Sequence, residues 1–215
     1  MDQVGERIVF TVNSDGTITS LIEIQYTGSA EDFSWILPIP TAIGADDLAI
    51  PEGAESVFDE LHQLTDVRFI APPRPECADV DVPMADSSAE PEVEVFASGE
   101  VGPFGFDIIG SQDPTSLIEW LRDNNYRVTP EMEPLLDVYV DEQFAFVAMR
   151  LLDGETSDAI KPIEITYPAK NPMIPIRLTA VAATTMPVFV WIIADEQAVP
   201  ANYEHMEIAN EELVF

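Results

Sequence analysis

Stretches of strand-type composition lie at both ends of this chain, and apolar positions recur at helical spacing in the middle. Residues 7–12, Arg-Ile-Val-Phe-Thr-Val, and 17–26, Thr-Ile-Thr-Ser-Leu-Ile-Glu-Ile-Gln-Tyr, are rich in β-branched and aromatic types. From Ile22, the alternation of Ile22, Ile24 and Tyr26 with Glu23 and Gln25 turns one face inward and the other to water. Asn13-Ser14-Asp15-Gly16 lies between the two runs and predicts a hairpin: Asn and Asp bond their own backbone, and Gly16 tolerates positive φ. Next comes Glu31-Asp32-Phe33-Ser34-Trp35-Ile36-Leu37-Pro38-Ile39-Pro40. It predicts a buried strand over Phe33–Leu37, reached through Gly28-Ser29-Ala30 and completing a three-stranded meander. Pro38 and Pro40 offer no N–H, so regular pairing is expected to stop there, with the core built upstream of Pro38.

Beyond Pro40, residues 42–53 predict irregular chain with one short extended piece. Ser56 is placed to cap a helix whose apolar positions are Val57, Phe58, Leu61 and Leu64. A short strand is expected at Val67–Ile70. The Pro-rich, acidic stretch of about 71–91 reads as a flexible exposed loop. Glu92–Phe96 and Val101–Ile109 predict a second hairpin, with Gly99-x-x-Gly102-x-x-Gly105 as its bend. Asp113-Pro114 opens a helix carrying Leu117, Ile118, Trp120 and Leu121, and Thr129-Pro130 repeats the signal ahead of Met132, Leu135, Leu136, Val138 and Tyr139. These two helices form a helical hairpin through residues 124–128. Strands are expected again at Phe144–Leu152, Ile160–Tyr167, Ile174–Ala183 and Pro187–Ala194, with a short one at Glu204–Ile208. Pro172-Met173-Ile174-Pro175 is expected to set the start of the third of these, and Arg177, within it, to pair with a carboxylate. Strands first, helices in the middle and strands last predict an α+β fold, mainly antiparallel, with the helical hairpin and one further helix packed on the sheet. A single domain over residues 1–215 is expected.

Composition narrows the partners. Asp and Glu number 40 against 9 Lys and Arg, a formal net charge of −31. Such a surface repels nucleic acid and anionic headgroups and favours cations and basic proteins. Only Lys161 and Lys170 are lysines, and a Lys-poor acidic surface also suits high salt, where repulsion is screened. No apolar run reaches the 18 or so residues of a membrane span.

Candidate chemistry is sparse. Asn13-x-Asp15-Gly16 overlaps the middle of an EF-hand loop, yet Thr11 and Ile22 occupy the positions where terminal ligands are needed, which leaves a turn. Cys77 lies among carboxylates that oppose a thiolate, and the only bases to serve it are His62 and His205. His62 reads as a boundary residue on its helix, and two isolated histidines make no transition-metal site. Asp46-Asp47, Asp79-x-Asp81 and Glu90-x-Glu92-x-Glu94 can collect Ca²⁺ weakly without defining a dedicated site. The helical pair carries only Arg122 and Arg127, too little positive charge to read DNA. No catalytic constellation stands out.

Several stretches together resemble a known family: Gly5-Glu6-Arg7-Ile8-Val9-Phe10, Asp15-Gly16-Thr17-Ile18, Ile24-Gln25-Tyr26, residues 31–40, Trp120-Leu121-Arg122-Asp123-Asn124-Asn125-Tyr126 and residues 172–182. They are similar to the bacterial family catalogued as domain of unknown function 2330, over a region from near the first residue to about Tyr203. The resemblance implies an extracytoplasmic protein, with a leader ahead of the Gly-Glu-Arg stretch and at times an anchor beyond the present end. It supplies no activity and no catalytic residue. A processed or trimmed mature chain is expected on that basis. The resulting expectation is a non-catalytic cell-surface protein, structural or interacting, self-assembling as a filament or surface layer with cation support. An accessory subunit of a membrane-associated complex with an envelope partner is the alternative, and a metal-dependent extracellular hydrolase comes third.

Overall fold

The computed structural model describes residues 3–65, 93–181 and 185–202. The expected strands at 67–70 and 204–208, the 71–91 loop, Cys77, Asp79, Asp81 and His205 lie outside them. The fold is α+β and mostly antiparallel, with two stacked sheets. One has the order β4-β8-β2-β1-β9, from β1 (Gln3–Val12), β2 (Thr17–Tyr26), β4 (Leu48–Ala49), β8 (Ile163–Pro168) and β9 (Val188–Ile193). The other has the order β3-β7-β6-β5, from β3 (Ser34–Ile39), β5 (Val93–Val101), β6 (Phe104–Ser111) and β7 (Ala145–Leu151). Helix α1 (Ala54–Thr65) covers the outer face of the first sheet. Helices α2 (Pro114–Asp123) and α3 (Glu133–Asp141) cover the outer face of the second.

Parity within each strand builds these four layers. On β1, Ile8 and Phe10 point between the sheets while Val9 packs under α1. On β7, Val147 and Met149 point between the sheets while Phe146 and Ala148 face α2 and α3. Strands with an apolar residue on both sides belong in an interior layer, where each face meets a different core.

Both predicted hairpins form, but in the second the turn is confined to Gly102-Pro103: Val101 ends β5 rather than opening β6, and Gly99 and Gly105 pair within the strands instead of forming the bend. Gly16 sits at φ +87° in the first and Gly102 at φ +54° in the second, where a side chain would be strained. Asp15 Oδ1 accepts from the Thr17 N–H and hydroxyl. The start of α2 is also as expected: Asp113 caps it by accepting from the Ser116 N–H at 2.8 Å and the Ser116 hydroxyl at 2.6 Å, bonds that lower its pKa. Asp113→Ala is expected to cost about 1 kcal/mol in chemical denaturation, because the first-turn N–H loses its acceptor.

Other expectations are corrected. β3 does not complete a meander with β1 and β2; it crosses to the second sheet and pairs with β7. All six of its residues are buried, which the rim of a half-solvated hairpin does not allow. Pairing does not stop at Pro38 but runs on through Pro38 opposite Phe146 and Ile39 opposite Ala145. Since β3 is an edge strand, a missing donor is tolerated there. The core also extends past Pro38, to the buried Ile39 and Ile43. Helix α1 begins at Ala54, and Ser56 lies within its first turn, donating its hydroxyl to Gly53 O. Of its expected stripe Phe58 is fully buried, whereas Leu64 is 81% exposed. Helix α3 starts at Glu133 rather than after Thr129; the Met132 N–H bonds Thr129 O in a separate turn.

The expected strand at 174–183 does not form over its described residues, 174–181. Leu178–Val181 is instead a 3-10 turn, and Pro175 removes a donor just before it. The Pro172–Pro175 stretch therefore starts no strand. Arg177 finds its carboxylate, Glu142, but half-exposed beside α3. β9 pairs with β1 in parallel, the one exception to antiparallel pairing among the described strands.

Candidate functional site

Glu6 is the most unusual side chain in the interior. Sharing strand parity with Ile8 and Phe10, it points between the sheets and is only 4% exposed. Arg7 cannot neutralise it, because neighbouring residues of a strand face opposite ways. Arg7 instead pairs with Glu23 and Asp59 on the outer face and lies 5.0 Å above the Phe58 ring. Burial pushes the Glu6 carboxyl up to about 7, against the opposing pull of a 3.4 Å hydrogen bond from Gln3 Nε2. Near neutrality it titrates between a neutral acid and a buried anion.

Around Glu6 is a cavity of about 20 Å³, lined among others by Ser20, Tyr167, Pro38, Pro40, Met173 and Pro175. Three of the sequence stretches that carry the family resemblance thus meet at one point: Gly5–Phe10, residues 31–40 and residues 172–182. Ser20 donates to the Tyr167 hydroxyl at 3.2 Å, and burial raises the Tyr167 pKa. The space suits one water-sized group and no organic substrate. What this arrangement can do is hold or release a proton between the sheets.

Two further features lie at the surface. The first is β9, Val-Phe-Val-Trp-Ile-Ile, with β1 on one side and no described strand on the other. Phe189, Ile192 and Ile193 are exposed, Ile193 by 53%. Trp191 anchors the strand by donating from Nε1 to Thr65 Oγ1 and approaching Phe58. The second is a groove of about 620 Å³ across one end of the four-stranded sheet, bounded by the end of β3, the starts of β5 and β7, the end of β6 and the last turn of α3.

The residues singled out by sequence are scattered. Asn13, Asp15 and Gly16 serve the first hairpin, and Gly99, Gly102 and Gly105 the second. His62 is exposed, with its ring 5.6 Å from that of Phe189. Arg122 pairs with Glu133 and Arg127 with Asp32. Arg177 bonds both Glu142 oxygens at 2.8 Å and lies 5.4 Å from the Tyr139 ring centre. Asp47 accepts from the Gly44 N–H. Among the described residues, no three His, Cys, Asp or Glu side chains are grouped to hold a metal, and no helix is long and apolar enough to cross a membrane. Glu6 escaped the sequence reading, although its parity with Ile8 and Phe10 was a usable signal.

The family described as an uncharacterized protein conserved in bacteria, domain of unknown function 2330, matches residues 4–214. This chain belongs to that family. The match reaches well past Tyr203, and within it fall the buried Glu6, the cavity, the groove and β9. No curated protein and no solved structure matches the chain.

Proposed function

We propose that this member of the family is a non-catalytic, exported structural or interaction protein whose β9 edge pairs with β9 of a second copy. The observation that carries this reading is the contrast among the sheet edges. β3 is blunted by Pro38, β4 is two residues long, and β5 carries Glu94 and Glu100 and a bulge between Val95 and Ala97. Each is a recognised guard against strand addition. β9 has none: six apolar residues and no charge. Two such edges meet without opposing like charges, and a pairing about a twofold axis closes on itself. It therefore yields a pair rather than an open filament. With −31 charges per chain, association is favoured where salt or divalent cations screen repulsion. The extracytoplasmic location belongs to the same proposal and rests on the family resemblance.

Light scattering of the purified chain at low and high salt, with and without millimolar Ca²⁺, tests the pairing. A mass twice the 23.7 kDa of one chain is expected at high salt or with Ca²⁺. Phe189→Lys/Ile193→Lys should return it to monomer, while Leu64→Lys, at another exposed apolar position, should not. A monomer under every condition sinks the reading.

A further inference from the structure

From the 620 Å³ groove at the end of the four-stranded sheet, we infer a binding site for an organic cation, an alkylammonium group on an apolar stem. This stands apart from β9 and does not rest on it. Its volume lies within the range of small-molecule sites.

The lining selects the charge of the ligand. Of the described side chains that line the groove, the charged ones are Glu94 on β5 and Asp141 on α3, both acidic. The nine-residue helix α3 ends there, so its C-terminal carbonyls add partial negative charge. Its last turn holds Asp141 and no basic side chain, an arrangement that repels itself until a cation arrives. Carboxylates crowd along this helix: Asp137 is raised by partial burial and then by Asp141 and Glu133.

The same lining selects an organic cation over a metal ion. Two carboxylates on separate elements fall short of the six or more oxygens that Ca²⁺ gathers. Phe96, a residue 42% exposed, lines the groove with its ring packed over Gly110 and offers an apolar surface to a methylene stem and a π system to its charge. Gln143 adds an amide. It occupies the left-handed position after α3 at φ +62°, with the Gln143 N–H on Val140 O and the Phe144 N–H on Tyr139 O.

Spermidine serves as probe, titrated calorimetrically into the full chain at fixed ionic strength. A chain this acidic attracts polyamines everywhere, so the decisive comparison removes the same charge at two places. Glu94→Gln/Asp141→Asn is expected to weaken saturable binding by about tenfold, the loss of one to two charge-assisted contacts. Glu55→Gln/Glu60→Gln, exposed on α1, should change it by less than about twofold. Circular dichroism would confirm that both variants fold. A trilysine peptide run alongside distinguishes the source of the group. Tighter binding than spermidine points to a protein segment and weaker binding to a free polyamine, and either outcome supports the site if Glu94→Gln/Asp141→Asn weakens it. Equal weakening in both double variants, or no saturable binding, overturns the inference.

Discussion

Glu6→Gln is expected to raise stability by roughly 2–3 kcal/mol at pH 8 and to change it little at pH 4. The folded carboxyl titrates at about 7, against its ordinary value of 4.5 in the unfolded chain. Between those pH values the folded chain keeps a proton that the unfolded chain has released. The contribution of Glu6 is therefore most favourable below pH 4.5, is lost progressively as pH rises to about 7, and levels off above that. Each pH unit in the window is worth about 1.4 kcal/mol. Glutamine keeps the shape and the contact with Gln3 but carries no charge at any pH. Asp113, whose pKa is lowered, and Asp137, whose pKa is raised, also couple stability to pH and with opposite signs, so the informative quantity is the difference between wild type and variant, measured by urea denaturation from pH 4 to pH 8. A difference that stays constant across that range would show that Glu6 is not buried as an isolated acid. The cavity bears on the size of the effect, since a water seated beside the carboxylate would reduce the gain from glutamine.

Phe58→Ala should cost about 3–5 kcal/mol, the largest single loss anticipated for α1. Phe58 is fully buried, packed in the outer-face cluster with Val9, Leu21 and Ala54, and covered by the Arg7 guanidinium. Few other side chains of α1 are buried, so its docking depends on this ring. Removing it leaves a cavity and also withdraws a neighbour of Trp191, whose ring centre is 6.3 Å away. Denaturant unfolding would give the loss, and near-ultraviolet circular dichroism would report the altered setting of Trp191. Phe58→Leu should recover much of the stability by refilling the volume. A loss below about 1 kcal/mol for the alanine variant would mean that α1 is not held by this contact. Since α1 backs the sheet next to β9, the same variant should also weaken any pairing through that strand.

Legibility from sequence followed the range of the interactions. The turn at Asn13–Gly16, the hairpin around Gly102 and the Asp113 cap were readable because each is settled within a few residues. Asn125, at φ +65°, ends α2 with the same pair of backbone bonds that Gln143 gives α3, and neither is the glycine that would have advertised it. Residues 174–181 have strand composition but are drawn into a turn by Pro175 and by the bonds of Arg177 to Tyr139 and Glu142. Composition alone could not anticipate those partners, one on α3 and one just after it. Of the candidate sites, Arg177 was foreseen in its pairing but not in its exposure. Glu6 was quoted only for its resemblance, and the groove was invisible because its lining comes from five separate elements.

The amino-acid sequence by itself determined the family, the α+β class, the acidity and most of the individual strands and helices, because periodicity, turn chemistry and charge are properties of short stretches. Only the tertiary structure decided that β3 leaves its neighbours for the second sheet, that β9 lies parallel to β1 with no described strand on its other side, and that Glu6 faces inward where a charge is costly. Those outcomes depend on which distant segments exclude water from one another, and desolvation is set by the packed layers rather than by any one stretch of chain.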